Sequence, residues 1–212
     1  MISPDLHFER ALWKKKITHI AGLDEAGRGA WCGPVAAAAV IFPASKSVLK
    51  KLHGVRDSKL MSVRQRNYWL EIIHKIAIAW QVGLANHAEI DEIGIVPATR
   101  LAMQRAIEGL NIQPDYLLID AVKLPKIPIP QQSIIKGDQQ SLSIAAASVL
   151  AKTTRDALLI EMADEYPQYG FERHKGYGTH LHRLNLTAQG PCPTHRKSFA
   201  PIKQYYLEQK MG

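Results

Sequence analysis

Cysteine is scarce in this chain of 212 residues, where it occurs only at Cys32 and Cys192. The two cysteines lie far apart and form no CxxC spacing, so the sequence indicates neither a disulfide framework nor a structural zinc site. Apolar runs long enough to cross a bilayer are missing. Residues 1–16 also lack the apolar core and the small-residue cleavage site of a secretory signal. These absences predict a protein of a reducing compartment, the cytoplasm.

Negative charge is in deficit, because 19 Asp and Glu residues face 27 Lys and Arg residues, for a formal net charge of +8. Polyanions are therefore the first partners to consider, although a basic composition alone leaves the question at about even odds. Hydrophobic residues make up 46% of the chain. That content is enough for a buried core in one large domain or two small ones.

The stretch at residues 17–42 is chemically the most unusual part of the chain. Residues 17–25 and 34–42 are largely apolar and predict two strands of a hairpin, joined by a tight turn that contains glycine. Asp24 and Glu25 stand at the end of the first strand. Adjacent carboxylates in this position repel each other and resist desolvation, so they are tolerated only if a cation or a proton neutralises them. The pattern indicates half of a metal site.

The rest of the sequence predicts alternating helices and strands. Ser62 and Gln65 form a capping box at the start of one helix, and the alanine-rich run at residues 141–166 predicts the longest helix. A Pro-rich piece at residues 124–130 is expected at a sheet edge or in a loop, because proline donates no ladder hydrogen bond. The other predicted elements are strands at 78–84 and 116–119, and helices or helical turns at 46–53, 62–77, 89–93, 97–110, 180–188 and 202–210.

Further carboxylates extend the candidate metal site. Asp120 follows a second apolar strand, so it reaches the same sheet edge as Asp24 if the two strands are parallel neighbours. Carboxylate ligands favour Mg²⁺ or Mn²⁺, although either aspartate alone would more simply cap a turn. Asp138 is the predicted fourth carboxylate. Its rival, Asp156, is expected to form an ordinary ion pair beside Arg155.

Two other patterns are less specific. Gly22 and Gly27 match the glycine spacing of a phosphate-binding loop, but Arg28 and Gly29 stand where that loop needs Lys and then Ser or Thr. Glycines on both sides of Arg28 indicate either backbone that closely approaches a ligand or a simple hairpin turn. A second group is too irregularly spaced for a metal cluster and predicts either a face that binds a nucleic-acid backbone or solvated loops. This group consists of His174, Lys175, Tyr177, His180, His182 and His195.

Most of the candidate site residues named above lie in ordered sequence blocks that resemble the signatures of the bacterial ribonuclease HII family. The blocks span nearly the whole chain, which makes a coincidental match implausible. They are Gly22-Leu23-Asp24-Glu25-Ala26-Gly27-Arg28-Gly29, Gly33-Pro34-Val35, Asp57-Ser58-Lys59-Leu60, Leu118-Ile119-Asp120, Lys136-Gly137-Asp138, Ala145-Ala146-Ala147-Ser148-Val149-Leu150-Ala151-Lys152, Arg155-Asp156, His174-Lys175-Gly176-Tyr177 and His195-Arg196-Lys197-Ser198-Phe199. Trp31-Cys32, Pro97 and Ala121 depart from the family's usual residues, but none of these departures removes a carboxylate.

The resemblance implies an α/β fold with an RNase H-like mixed β-sheet flanked by helices. It implies a catalytic domain at residues 1–166 and a C-terminal helical extension at residues 167–212, packed on the same domain. It also implies catalysis by two metal ions, Mg²⁺ or Mn²⁺. The implied catalytic and metal-binding set is Asp24, Glu25, Asp120 and Asp138, and the implied substrate-binding set is Gly27, Arg28, Gly29, Ser58, Lys59 and Tyr177.

The activity implied by the resemblance is that of a ribonuclease H, an endonuclease that cuts the RNA strand of RNA/DNA hybrids and leaves 5′-phosphomonoesters. Gly27, Arg28 and Gly29 are expected at the 2′-OH and Tyr177 against the neighbouring sugar, so that single ribonucleotides in duplex DNA become substrates. We expect a monomer with these nucleic acids as partners and without a membrane. A sliding clamp is a possible further partner that the sequence itself does not support. Two alternatives stay open: an RNase H-like module that binds nucleic acid without cutting it, and a phosphohydrolase of small molecules.

Overall fold

The computed structural model describes residues 3–208, in which five strands form one mixed sheet. The strands are β1 (Ile20–Ala26), β2 (Val35–Ile41), β3 (Ala79–Ala85), β4 (Tyr116–Asp120) and β5 (Gln131–Ile134). Their order across the sheet is β3-β2-β1-β4-β5. Strand β2 pairs antiparallel with both β1 and β3, whereas β4 pairs parallel with both β1 and β5. The predicted hairpin and the predicted mixed sheet are both confirmed.

The helices flank this sheet and include the predicted long one. They are α1 (His7–Trp13), α2 (Ser47–Lys51), α3 (Val63–Ile76), α4 (His87–Ile93), α5 (Ile95–Glu108), α6 (Leu142–Glu165), α7 (Phe171–His174), α8 (His180–Gln189) and α9 (Ile202–Glu208). The predicted capping box starts α3, because Ser62 and Gln65 each accept a backbone hydrogen bond from the other. The helix predicted at 202–210 is followed to Glu208, and residues 209 and 210 lie outside the described residues. None of the helices in the described chain is long and apolar enough to span a membrane.

Helices α5 and α6 cover opposite faces of the sheet. Successive side chains of a strand point to opposite faces, and accordingly Ala37 and Ala39 of β2 join the core beneath α5, whereas Ala38 and Val40 join the core beneath α6. The long helix comes unusually close to β1 at Gly22, where a Cβ atom would lie 2.3 Å from a backbone carbon of α6. Both faces are therefore buried, and polar groups of the central strands can be reached only at the strand ends.

The edge at which β1 and β4 end positions the candidate site. Leu23 pairs with Ile119 in the parallel ladder, so Asp24 and Asp120 occupy the next positions on neighbouring strands. The condition stated from the sequence, that these strands are parallel neighbours, is met. Both carboxylates consequently emerge at the same edge of the sheet.

Strand β5 was not predicted from the sequence. It follows the Pro-rich loop at residues 124–130, which lies outside the regular elements as expected. Gln131, Gln132 and Ser133 make β5 mostly polar, and within the described chain it pairs only with β4. An edge strand with one partner buries little side-chain area, so its sequence carries little of the apolar alternation that marks a strand.

Candidate active site

Asp24 is buried near the end of β1 without a full set of partners. The residue is 3% exposed, and its Oδ1 accepts a hydrogen bond from the backbone N–H of Glu25 at 2.7 Å. Within residues 3–208, Oδ2 has no hydrogen-bond partner. Burial, followed by the negative charges of Glu25 and Asp120, raises the pKa of Asp24 well above its usual value. A bound cation would stabilise the charged form of this carboxylate.

Glu25 repeats the arrangement on the next residue. Its Oε1 accepts a hydrogen bond from Arg28 Nη1 at 3.0 Å, whereas its buried Oε2 is unpartnered among the described residues. Burial raises the pKa of Glu25, although the hydrogen bond and the charge of Arg28 oppose the shift. In both acids the protein holds one carboxylate oxygen in place and leaves the other for a ligand.

Asp120 and Asp138 bring two more carboxylates from β4 and from the turn after β5. Asp120 Oδ1 accepts the backbone N–H of Gly137 at 2.7 Å, which ties the two segments together. Lys136 adopts the left-handed conformation, with φ +55°, and directs the chain into a 3₁₀ turn in which Asp138 is buried. Burial and the charges of Asp57 and Asp120 raise the pKa of Asp138 to about 6. This turn brings the predicted fourth carboxylate close to Asp120.

The structure adds Asp57, which the sequence patterns did not select as a site residue. Asp57 is 7% exposed and accepts the backbone N–H of Lys59 at 2.9 Å. Burial acts to lower the pKa of Lys59, but the surrounding carboxylates outweigh burial and raise it. These carboxylates are Asp24, Asp57, Asp138 and Asp120. Lys59 is therefore held in its charged form within the acidic cluster. Asp57 lies in a loop rather than at a strand end, so no periodicity marked it.

The donor set of this cluster fits hard divalent cations. All the candidate ligand atoms are carboxylate oxygens, the ligands that Mg²⁺ and Mn²⁺ prefer. Burial is the largest cause of the raised pKa of each of the four predicted acids. Within this cluster, two buried oxygens, Asp24 Oδ2 and Glu25 Oε2, have no hydrogen-bond partner in the part of the chain that the structure describes. A divalent cation would both neutralise the buried negative charge and give these two oxygens a partner.

The turn after β1 is held from behind by two buried arginines. Gly27 has φ +92°, and a Cβ atom there would lie 1.9 Å from Arg155 Nε, so a larger residue does not fit. Arg196 donates from Nη2 to the carbonyl of Gly27 at 2.8 Å and from Nη1 to the carbonyl of Arg28 at 2.9 Å. A Cβ atom on Gly29 would meet no described atom within 4 Å. The turn is packed on its inner side and open at Gly29.

A groove of about 660 Å³ runs past this turn. Its lining includes every residue of the predicted substrate-binding set, namely Gly27, Arg28, Gly29, Ser58, Lys59 and Tyr177, together with Glu25. Lys152, Arg173 and Lys175 add positive charge to its walls. The Tyr177 ring lies 5.2 Å from Lys152 Nζ. Ser58 is 2% exposed and its hydroxyl is hydrogen-bonded to that of Ser148, so its side chain belongs to the inner wall of the groove.

Asp156, the rival acid of Asp138, has a complete set of partners. Its Oδ2 lies 3.1 Å from Arg66 Nη2, and its Oδ1 lies 2.7 Å from Lys152 Nζ. The predicted ion pair is confirmed, but its partners are Arg66 and Lys152 instead of the adjacent Arg155. Arg155 instead donates to the carbonyls of Pro34, Lys175 and Cys32.

The histidine-rich group does not form one binding face. His182 and His195 are 0% and 1% exposed, and their Nε2 atoms lie 3.1 Å from each other, so the prediction is wrong for these two residues. Lys175 and Tyr177 do line the groove. The sequence could not reveal this division, because the burial of the two imidazoles depends on how helix α8 and the segment after it pack together.

Comparisons with known proteins agree with the geometry. The sequence model of the family described as Ribonuclease HII matches residues 21–202. The chain is 50% identical over 199 residues to a ribonuclease HII of Halalkalibacterium halodurans, which covers 94% of this chain and 74% of that protein. It is 46% identical over 210 residues to a ribonuclease HII of Dehalococcoides mccartyi, which covers 97% of each chain.

Solved structures share the fold at lower sequence identity. The ribonuclease H2 of Pyrococcus horikoshii OT3 matches with a TM-score of 0.72 and 23% identity, over 91% of this chain and 99% of that chain. The ribonuclease HII of Archaeoglobus fulgidus, solved in complex with PCNA, matches with a TM-score of 0.70 and 22% identity, over 88% and 96% of the two chains. Bst-RNase HIII in complex with Mn²⁺ matches with a TM-score of 0.65 and 16% identity, over 92% and 71%.

Proposed function

Because the chain belongs to the ribonuclease HII family, we propose that it cuts the RNA strand of RNA/DNA hybrids and nicks duplex DNA at single embedded ribonucleotides. The chain is a ribonuclease H, an endonuclease, like its named relatives. The proposal adds the choice of substrate, the mechanism and the residues responsible. The mechanism proposed is two-metal-ion hydrolysis, in which the phosphodiester is attacked by water and no side chain forms a covalent intermediate.

The observation that carries the proposal is that one oxygen of a carboxylate is held by a hydrogen bond while the other has no partner. Oδ1 of Asp24, Oε1 of Glu25 and Oδ1 of Asp120 each accept a hydrogen bond from the protein, which fixes the orientation of the side chain. The second oxygens of Asp24 and Glu25 are buried and lack a partner within the described residues. A carboxylate oriented by one oxygen and free at the other is preorganised as a metal ligand.

The proposed ligands of Mg²⁺ or Mn²⁺ are Asp24, Glu25, Asp120 and Asp138. A Mn²⁺ complex of the structurally similar Bst-RNase HIII supports a divalent cation in this fold. When bound, the cations supply Lewis-acid stabilisation of the negative charge that develops on the phosphate. Lys59 offsets part of the charge of the cluster, and Arg28 keeps one oxygen of Glu25 in place.

The groove explains how a nucleic acid would reach these carboxylates. Arg28, Lys152, Arg173 and Lys175 line it and supply the positive charge that a phosphate backbone requires. The open backbone at Gly29 would approach the 2′-OH, the group by which a protein tells RNA from DNA. The Tyr177 ring would pack against the next sugar, in the same groove. Chemistry and substrate choice thus share the end of β1 and the turn that follows it.

We also propose the domain division expected from the sequence, with the catalytic domain at residues 1–166 and the extension at residues 167–212. Arg196, in the extension, is 0% exposed and donates to the carbonyls of Gly27, Arg28 and Gly33. These contacts support an extension that holds the substrate-reading turn in place. Proteolysis at the junction, followed by a cleavage assay, tests whether the two parts are separable, and we expect loss of activity on separation.

A nicking assay on two substrates tests the proposed function. One duplex carries a single ribonucleotide, the other is an RNA/DNA hybrid, and each is incubated with Mg²⁺, with Mn²⁺ and with a chelator. We expect cleavage of both substrates with either cation and none with the chelator. Binding without cleavage in either cation would favour the alternative of an inactive nucleic-acid-binding module. Failure to bind either duplex would favour a phosphohydrolase of small molecules.

The role of the turn is tested by Gly29→Ala, because Gly29 is exposed and the added methyl group would meet no described atom within 4 Å. We expect normal folding and a stability within about 0.5 kcal/mol of wild type. Nicking at a single ribonucleotide should fall at least tenfold more than binding to an all-DNA duplex of the same sequence. Equal nicking by Gly29→Ala and wild type would contradict a role for this backbone at the 2′-OH. Gly27→Ala is unsuitable, since its Cβ would collide with Arg155.

A further inference from the structure

Two cysteines and a histidine come together behind the substrate-reading turn, although Cys32 lies far in the sequence from Cys192 and His195. Cys32, Cys192 and His195 are 0%, 6% and 1% exposed, and one ligand atom from each lies within 4.8 Å of the other two. Cys192 Sγ is 3.0 Å from His195 Nδ1. The hydroxyl of Thr194 lies 3.2 Å from Cys32 Sγ and 3.1 Å from Cys192 Sγ. The cluster thus consists of two buried thiols, one imidazole and one hydroxyl.

The hydrogen bonds determine that Nδ1, the nitrogen of His195 that faces this cluster, is the unprotonated one. His182 Nδ1 lies 3.0 Å from the carbonyl of Tyr177, which can only accept, so Nδ1 of His182 carries the proton. In the neutral imidazole, His182 Nε2 is then the acceptor for His195 Nε2–H at 3.1 Å. His195 Nδ1 is consequently unprotonated, and it accepts the backbone N–H of Cys192 at 3.0 Å. The same nitrogen lies 3.0 Å from Cys192 Sγ, so a metal ion bound there would take the place of the Cys192 N–H.

We propose that Cys32, Cys192 and His195 form a second metal site, which binds a thiolate-preferring divalent cation such as Zn²⁺. Zinc–sulfur distances of about 2.3 Å and zinc–nitrogen distances of about 2.0 Å place tetrahedral ligands roughly 3.5 to 3.8 Å apart. The observed separations fall within 4.8 Å, so small side-chain movements suffice. Thr194 Oγ1 lies beside both sulfurs and is the candidate for a fourth ligand. His182 accepts a hydrogen bond from Nε2 of His195, the nitrogen that would not bind the metal, as partners of metal-bound histidines do.

The chemistry separates this site from the carboxylate cluster. Sulfur and imidazole ligands select zinc, whereas carboxylates select Mg²⁺ and Mn²⁺. Binding removes the proton of each ligating thiol and releases it to solvent. The metal would join the chain at Cys32 to the segment that contains Arg196. Since Arg196 holds the carbonyls of Gly27 and Arg28, a bound metal would clamp the turn that reads the substrate.

The test uses Co²⁺ and Zn²⁺ on the full chain with reduced thiols. The background protein is Asp24→Asn/Asp120→Asn, which removes carboxylate ligands and leaves the thiols intact. We expect one equivalent of Co²⁺ to give a sulfur-to-cobalt charge-transfer band in the near ultraviolet, which carboxylate ligation cannot produce. One equivalent of Zn²⁺ should displace the cobalt, abolish the band and protect both thiols from a disulfide reagent.

Cys192→Ser and Cys32→Ser should each lose most of the band and raise the dissociation constant for Zn²⁺ at least 100-fold. His182→Gln should raise it by roughly 10- to 100-fold, as expected for a partner of a metal-bound histidine. The matched control is His180→Gln, whose side chain belongs to the same helix but is exposed. An unchanged zinc affinity in the control is expected.

Several results would overturn the second site. They are the absence of a charge-transfer band in the background protein, unprotected thiols in excess Zn²⁺, and formation of a Cys32–Cys192 disulfide in excess Zn²⁺ once the reductant is removed in air. Thiol protection is measured on unsubstituted cysteines, so it remains decisive if a serine variant fails to fold. None of these readouts depends on cleavage, so failure of the second site and failure of the proposed nuclease function are distinguishable.

Discussion

Two of the buried acids, Asp156 and Asp24, differ in how the structure satisfies their oxygens. In helix α6, Asp156 contacts a cation with each oxygen, Arg66 through Oδ2 and Lys152 through Oδ1. Near the end of β1, Asp24 uses Oδ1 to accept a backbone N–H, whereas its Oδ2 has no hydrogen-bond partner among the described residues. Both oxygens of Asp156 are therefore paired with cations, whereas one oxygen of Asp24 is left without a partner among the described residues.

The difference supports the proposal that Asp156 serves stability and Asp24 serves chemistry. A buried carboxylate with an unsatisfied oxygen costs folding free energy, since its desolvation is not offset. The other buried acids raise that cost further, because their charges repel that of Asp24. Proteins retain such groups at functional sites, where a ligand completes them. Asp156 needs no ligand, and its removal would leave buried cations unpaired.

Asp24→Asn should have the largest effect on activity. The amide keeps the size of the side chain but removes the anionic ligand, and loss of several kcal/mol of transition-state stabilisation corresponds to about a thousandfold or more in rate. We expect cleavage of the single-ribonucleotide duplex to become undetectable while binding stays measurable. The matched control is Asp115→Asn, at the opposite end of β4, where the carboxylate is half exposed. Full activity of Asp24→Asn in Mg²⁺ would remove Asp24 from the metal site.

Asp156→Asn should have the largest effect on stability. Breaking a buried ion pair by removal of one partner typically costs about 3 to 5 kcal/mol, because the remaining charge is left uncompensated. Urea unfolding measures the change. Asp164→Asn, an exposed acid of the same helix, should change the free energy of unfolding by less than about 0.5 kcal/mol. Cleavage by the folded fraction of Asp156→Asn should fall far less than in Asp24→Asn, and an equal loss would erase the contrast between the two acids.

The pH dependence of stability sharpens the same contrast. The pKa of Asp138 rises from 3.8 to about 6 on folding, so the folded chain binds more protons than the unfolded chain between about pH 4 and pH 6. Stability in a chelator should therefore fall as the pH rises through this window. Asp138→Asn should reduce the slope without abolishing it, because the pKa values of the other three acids are raised too. Denaturant titrations at several pH values test this, and an unchanged slope would contradict it.

Much of the sheet could be predicted from the sequence, because local patterns specify it. Apolar runs marked β1, β2 and β4, and the position of Asp24 and Asp120 at the ends of two such runs indicated that both reach one edge. Strand β5 was not predicted because an edge strand needs few apolar residues. Asp57 was not predicted because a loop carries no periodicity. Its electrostatic interactions with Lys59, Asp120 and Asp138 assign it to the cluster.

Long-range packing accounts for what the sequence could not indicate. The absence of a CxxC spacing argued against a zinc site, yet Cys32 and Cys192 contact the same threonine hydroxyl. Arg196 looked like one basic residue among many, but it is fully buried and holds the turn at Gly27. In each case the partner lies more than a hundred residues away, so no local pattern contains the contact.

The free energy of unfolding, measured for wild type and Asp24→Asn in a chelator and again in Mg²⁺, tests most directly whether the carboxylates of β1 are kept for a cation. In the chelator we expect Asp24→Asn to be more stable than wild type, by about 0.5 to 2 kcal/mol, because a poorly compensated buried charge is gone. Mg²⁺ should then stabilise wild type far more than the variant. A variant that is less stable in the chelator, with a wild type indifferent to Mg²⁺, would contradict this explanation of Asp24.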